Sequence, residues 1–260
     1  MKKLFALMLT LALALSAAAV AEADLLEEVA ERGSLVIATE GAWSPWTYHD
    51  ESDELVGFDV DVASAVAEEL GLSADFVECP WESIFLGIDS KMYDIAANGV
   101  EITEERAAKY DFTIPYAYLR TALIVRGDNE DIQSFEDLSG RRTANSAGST
   151  YALLAEQYGA QTDVVSTLAQ TLDLVLSGRV DATINAELSF YDYMREHPDA
   201  NLKIVALSEE ASRVAIPVRK GAENAAFLAA LNEAIEALRA DGSLREISER
   251  YFDADITSEQ

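Results

Sequence analysis

Strand-like and helix-like patterns alternate along nearly the whole chain, and this alternation constrains the fold more than any other feature. "SLVIAT" (34–39) is a continuous apolar run rich in β-branched residues, as a strand buried on both faces requires. "DVASAVAEELGL" then places apolar residues at helical spacing and stops at Gly71. "ADFVE" reads as a strand, "WESIFLGIDS" as a helix, "YDIAANG" as a third strand, and "ITEERAAKY" as a helix capped by Thr103. After "FTIPYAYLR" the pattern restarts with the strand "TALIVR" and a short helix "SFEDL" capped by Ser134. "RRTANS", "TDVVS", "VDATIN" and "NLKIVAL" are further strands, separated by the helical stretches "TYALLAEQYG", "TLAQTLDLVLSGR" and "ELSFYDYMREH". Two helices, from about Ala222 to Ala240 and from Ser243 to Tyr251, end the chain, with "DG" as the stop between them.

Strands joined through helices of this length need crossover connections, which predicts an α/β fold with mainly parallel sheets flanked by helices. The restart predicts two lobes. Short junctions near Thr113–Tyr118 and Ser208–Arg213 would carry the chain into the second lobe and back. The first lobe is then expected at 24–114 plus 212–260, and the second, inserted, at 118–208. Two such crossings make a hinge and leave a cleft between the lobes.

The N-terminus is read separately. Lys2 and Lys3 precede an apolar run from Leu4 to Leu15, and Ala19-Val20-Ala21 or Ala21-Glu22-Ala23 offers a small-x-small cleavage site. Residues 1–21 are therefore expected to be a cleaved signal peptide, too short for a spanning helix of about 20 residues. The expected location is periplasmic. Cys79 is the only cysteine, so neither an intrachain disulfide nor a lipid-bearing N-terminal cysteine is expected, and Cys79 reads as a small buried hydrophobe. Without the two signal lysines, 17 basic residues face 47 acidic ones. That surface repels polyanions and argues against nucleic acid as a partner. His49 and His197 are the only histidines, and no Cys/His metal set, phosphate loop or nucleophile elbow is present. No metal, no cofactor and no catalytic residue is expected.

The stretch "NGVEITEERAAKYDF" (98–112) places Glu101 in an apolar turn and Arg106 just inside a helix. A surface ion pair of Arg106 with Glu101 or Asp111 is one explanation; a bound anion is another. "AGST" (147–150) is an ordinary helix cap or an anion clamp, since a helix N-terminus offers free N–H groups. Trp43 and Trp81 are core residues or the walls of a cleft.

Six landmarks in order, "GSLVIATEGAWSPWTYHD", "LVGFDVDVASAVAEELG", "EITEERAAKYDFTIPY", "AGSTYA", "SGRVDATIN" and "DGSLREISERYF", resemble those of family-3 solute-binding proteins, the amino-acid-binding components of ABC importers. "KYDFTIPYAY" and "YFDADIT" resemble members assigned to cystine and other polar amino acids. The resemblance implies a type II-like periplasmic binding fold that closes on one free amino acid and hands it to an importer permease, acting as a monomer. It implies that Arg106 grips the ligand carboxylate in a planar fork of donors. Asn145, Ser149 and Thr150 would meet that ligand from the second lobe. Trp43 and Trp81 would pack against its aliphatic part, with Glu40 at the pocket edge and Trp46 and Tyr48 in the core beneath.

The amine end departs from the family pattern. Relatives carry an aspartate where this chain has Ala186, between Asn185 and Glu187, and Ser or Thr where it has Glu101. A buried ammonium needs a carboxylate. Glu101, helped by the Gly99 carbonyl, is one candidate. Glu187, after a one-residue shift, is another. In a third arrangement Glu101 meets a cationic ligand side chain and Asn185 takes the amine. Two other functions use related lobes: a periplasmic dehydratase-like enzyme, with Glu101 as acid, and a soluble ligand-presenting sensor.

Overall fold

The structure, a computed structural model, describes residues 24–259; the expected signal peptide lies outside them. The first described element is helix α1 (Leu25–Arg32), which the strand–helix reading above leaves out. Asp24 caps it by accepting the Leu26 N–H at 3.0 Å. Strand β1 (Ser34–Thr39) follows and forms the centre of a parallel sheet of order β5-β1-β6, with β5 at Ser73–Glu78 and β6 at Ile95–Ala96. Leu35 and Ile37 of β1 pack into one apolar cluster with Phe58, Val62 and Val66 of α2 (Phe58–Glu69). Ala38 faces the opposite cluster, with Trp81, Ile84 and Ile88 of α3 (Trp81–Asp89). Alternate residues thus bury both faces of β1, which is why its sequence is apolar throughout. A small antiparallel sheet, β2 (Ala42–Trp43), β3 (Thr47–His49) and β4 (Leu55–Val56), precedes α2.

Helix α4 (Glu104–Lys109) begins where Thr103 accepts the Arg106 N–H at 3.2 Å, as the sequence predicts. Strands β7 (Tyr110–Phe112) and β8 (Ala117–Leu119) then lead to β9 (Thr121–Arg126). A second sheet has the order β11-β10-β12-β9-β13, with β10 at Arg142–Asn145, β11 at Gln161–Val164, β12 at Ala182–Ala186 and β13 at Leu202–Leu207. Only β9 runs against its neighbours in this mainly parallel sheet. It enters directly from β8 and has no crossover helix to reverse it. Helices α5 (Thr150–Gln157), α6 (Leu168–Leu176) and α7 (Glu187–Glu196) connect the other strands.

The returning chain pairs with the outgoing one. Strand β14 (Ser212–Val214) runs antiparallel to β8, and β15 (Pro217–Arg219) antiparallel to β7. Two lobes are therefore joined by two hinge crossings laid side by side. The last helices, α8 (Ala225–Asp241) and α9 (Ser243–Phe252), pack back on the first lobe through Phe227, Leu231, Leu244 and Ile247. Gly242, at φ 91°, makes the turn between them, a conformation that a side chain would strain. Among the described residues, no helix is long and apolar enough to cross a membrane.

Candidate functional site

The carboxyl ends of the strands of both sheets face each other across the cleft. Such ends are where open α/β sheets leave room for ligands. The residues just beyond β1, β5, β6, β10, β11 and β12 line a cavity between the lobes, with about 550 Å³ of free space counting its open mouth.

On the first-lobe side, Glu40 and Asn98 lock two strand ends together. The Asn98 amide donates to Glu40 Oε2 at 2.7 Å, and the Glu40 N–H donates to Asn98 Oδ1 at 2.7 Å. Burial pushes the Glu40 carboxyl up, and the Asn98 bond opposes that shift. Gly99, at φ 56°, passes under the Trp43 ring, where a β-carbon would lie 2.4 Å from a ring atom. Its N–H donates to Asp59 Oδ2 at 2.5 Å, and Tyr116, at the start of the hinge, donates to Asp59 Oδ1 at 2.6 Å. Asp59 is fully buried, and desolvation pushes its carboxyl from 3.8 up to about 7. Sequence reading assigned Asp59 no role; it stands two residues before the helical "DVASAVAEELGL" pattern (61–72).

Glu101 is buried and its backbone bridges Val214 of the returning hinge strand. The neighbouring bonds from the Ile102 N–H to the Arg213 carbonyl and from the Ala215 N–H to the Val100 carbonyl fix this turn on the hinge. Arg106 is buried behind the turn. Its guanidinium lies 5.1 Å from the Trp81 ring centre and 5.4 Å from that of Phe85. It donates to the Glu101 carbonyl at 3.0 Å and to the Gly148 carbonyl, across the cleft, at 3.5 Å. Among the described residues it forms no ion pair, so the surface pairing with Glu101 or Asp111 is not made. Burial pulls its pKa below the usual guanidinium value, against the attraction of Glu101.

On the second-lobe side, Ser149 caps α5 by accepting the Ala152 N–H at 3.1 Å. Thr150 turns the other way and donates across the cleft to the Glu101 carboxylate. Asn185 accepts from Trp43 Nε1 at 3.1 Å, again across the cleft. Further bridges join Trp46 Nε1 to Ser189 Oγ at 3.1 Å and Ser44 Oγ to Asp192 Oδ2 at 2.6 Å. The two lobes are in contact, and the cavity lies between them.

The residues predicted from sequence divide clearly. Glu40, Trp43, Trp81, Gly99, Glu101, Asn145, Ser149, Thr150 and Asn185 line the cavity. Arg106 stands behind the wall they form. Glu187 does not reach the cavity: it opens α7, which leads away from the strand end, and accepts from the Tyr191 hydroxyl at 3.3 Å. Trp46 is fully buried beneath Trp43, with ring centres 5.2 Å apart. Cys79 is only partly buried, because the strand end that carries it opens onto the cleft rim beside Glu40. Sequence reading missed Tyr151, Ser166 and Thr167, which also line the cavity. Position relative to strand ends is the signal that would have found the last two.

This arrangement, two hinged lobes bridged over a cavity between them, is that of a solute-binding protein. Residues 35–254 match the bacterial extracellular solute-binding proteins of family 3, and the chain belongs to that family. It is 40% identical to the "Probable amino-acid ABC transporter-binding protein" of Haemophilus influenzae, over 90% of each chain. Among solved structures, an ancestral arginine-binding protein bound to arginine superposes with a TM-score of 0.80 at 33% identity, covering 85% of this chain and 99% of the other. The L-cystine solute receptor of Neisseria gonorrhoeae, in its unliganded open conformation, is 37% identical over 90% of this chain and 99% of the other, with a TM-score of 0.60. Higher identity with poorer superposition indicates a different lobe arrangement, and the bridges across the cleft here agree with that.

Proposed function

We propose that this protein captures a free α-amino acid between its lobes, outside the cytoplasm, and delivers it to the permease of an ABC importer. Residues 1–21 direct export and are removed, leaving a periplasmic monomer with one lobe at 24–114 plus 212–260 and the other at 118–208. The relatives named for amino acids, cystine and arginine support this class of ligand.

The observation that carries the reading is Arg106: a guanidinium buried beside the cavity with no carboxylate partner of its own. A buried unpaired charge is costly, so the site favours an anion that completes it. Two carbonyl bonds leave most of its five N–H donors for a ligand carboxylate. The α5 N-terminus at Thr150 and Tyr151 assists from the other lobe. Glu101 takes the ammonium, with the Gly99 carbonyl. Its lining position supports this assignment over Glu187. Trp43 and Trp81 wall the aliphatic part, and Asn185 and Glu40 close the polar edge. The ligand meets the first lobe first, and hinge closure then brings Thr150 and Asn185 onto it, excluding water and strengthening the charged contacts.

Calorimetric titration with the common amino acids and cystine tests this. At least one is expected to bind with micromolar or tighter affinity and without turnover, while its methyl ester and its N-acetyl form fail to bind. Equal affinity for the ester would overturn the assignment of Arg106. Absence of binding by every free amino acid would overturn the function.

A further inference from the structure

Asn145 lies at the end of β10, is 1% exposed, and lines the cavity. Its orientation is fixed by its neighbours. The side-chain Nδ2 donates to the Ile184 carbonyl at 2.7 Å and to Thr183 Oγ1 at 3.3 Å. The Thr183 hydroxyl spends its own proton on the Ala144 carbonyl at 2.8 Å, so towards Asn145 it acts as an acceptor. Turning the amide over would set its oxygen against the Ile184 carbonyl and against that acceptor. Oδ1 is therefore held as an acceptor, and it is buried without a hydrogen-bond partner. Buried acceptors without a donor are rare in native structures and call for one. Tyr151, on the first turn of α5, also lines the cavity, and its buried hydroxyl, beside the Ala186 backbone, makes no well-formed hydrogen bond.

The rest of the lining has the same bias. It contributes two carboxylates, Glu40 and Glu101, and no Lys or His side chain, while the Arg106 guanidinium behind it is committed to the ligand carboxylate under the reading above. Glu101 is engaged by the ligand ammonium under the reading above. That leaves Asn145 Oδ1 and the Glu40 carboxylate as acceptors that a simple zwitterion does not use. Glu40 also borders the outer groove at the cleft rim, together with Glu78, so the acceptor-rich surface continues outward.

We infer that Asn145, with Tyr151, forms a second polar subsite that selects α-amino acids whose side chain ends in an N–H-bearing, preferably cationic, nitrogen. This rests on the amino-acid reading of the cavity. Lysine, arginine and the distal ammonium of cystine all present such a group. An apolar chain of equal length would leave Oδ1 unpaired, and an acidic one would repel Glu40 and set an acceptor against an acceptor.

The test is a calorimetric series on the mature protein with L-lysine, L-arginine, L-cystine, L-norleucine and L-glutamate. At least one of the first three should bind tenfold or more tighter than norleucine, and glutamate should bind weakest. In Asn145→Leu, of similar volume but without the acceptor, the ratio of affinities for the preferred ligand and norleucine should fall at least tenfold. Tyr151→Phe, which removes one atom and leaves the packing in place, should lower the same ratio by a smaller factor. Norleucine or glutamate binding as tightly as the N–H-bearing ligands would overturn the subsite while leaving the amino-acid function standing. An unchanged ratio in both variants would do the same. Failure of all five ligands, followed by failure of the wider amino-acid panel, would remove both.

Discussion

The two walls of the cavity are built differently. On the first-lobe side the lining is braced from behind: Glu40 by Asn98, Gly99 by Asp59, and the Glu101 backbone by the hinge strand, with the Arg106 guanidinium and the Glu101 carboxylate left to face the ligand. These partners come from separate elements, so the wall is held in place before any ligand arrives. On the second-lobe side, Asn145 and Tyr151 are left unpaired, and Thr150 is satisfied only by reaching across to Glu101. One wall is preorganised, and the other is completed by what it closes on. Since a ligand shifts a conformational equilibrium only by its differential affinity for the two states, groups satisfied only on closure supply the driving force.

Removing the buried cation should break this scheme most severely. Arg106→Ala is expected to weaken ligand binding at least 100-fold, about 2.7 kcal/mol. Arg106→Lys should recover little, because an ammonium lacks the planar fork. Calorimetry on both variants, with circular dichroism to confirm folding, checks this. Binding within threefold of the parent in Arg106→Ala would remove the carboxylate assignment. Glu101→Gln comes next, with a loss of at least tenfold, about 1.4 kcal/mol. An unchanged affinity there would mean that the ammonium is held elsewhere.

Most elements were legible because periodicity and punctuation agree: the glycine stops, the Thr103 and Ser134 positions and the apolar β1 run all fall where the residues predict. The signals were weaker where partners, rather than local patterns, decide. Strands of two or three residues, such as β2, β8 and β14, carry too few positions to show a period and exist because a neighbour supplies the ladder. Arg106 and Glu101 stood out as charges in apolar surroundings. Asp59 did not, because an acidic residue in the first turn of a helix is ordinary. Only the fold shows that this one is fully buried between the Gly99 loop and the hinge tyrosine. The family resemblance placed Asn145 in the site, but the fixed direction of its amide depends on Thr183 and Ile184, almost forty residues away.

Asp59 ties the preorganised wall to the hinge through Gly99 and Tyr116. Its folded-state pKa of about 7 lies above its ordinary 3.8. The stability it contributes is therefore complete below the lower value, declines as pH rises between them, and levels off above about 7. Asp59→Asn cannot ionise and lacks this component. The stability of the variant relative to the parent should rise from pH 5 to pH 7, by an amount on the order of 2 kcal/mol. Denaturant titrations of both proteins across that range measure the difference directly. A constant difference would mean that the carboxylate is already ionised in the folded protein across that range.

The smallest effect should come from the rim of the closed arrangement. Ser44 donates to Asp192 away from the cavity lining, so its hydroxyl contributes to lobe contact without touching the ligand space. A net hydrogen bond to a charged group is worth about 1.5–3 kcal/mol at most, and a partly buried one at a moving interface is worth less. Ser44→Ala should therefore raise the ligand dissociation rate two- to fivefold and leave the association rate nearly unchanged, since association precedes closure. Stopped-flow fluorescence can read both rates, because Trp43 and Trp46 lie stacked at the lobe contact and each donates across it. An unchanged dissociation rate would mean that closure is held by ligand-contacting groups alone. A slowed association rate would mean that the lobes meet before the ligand is seated.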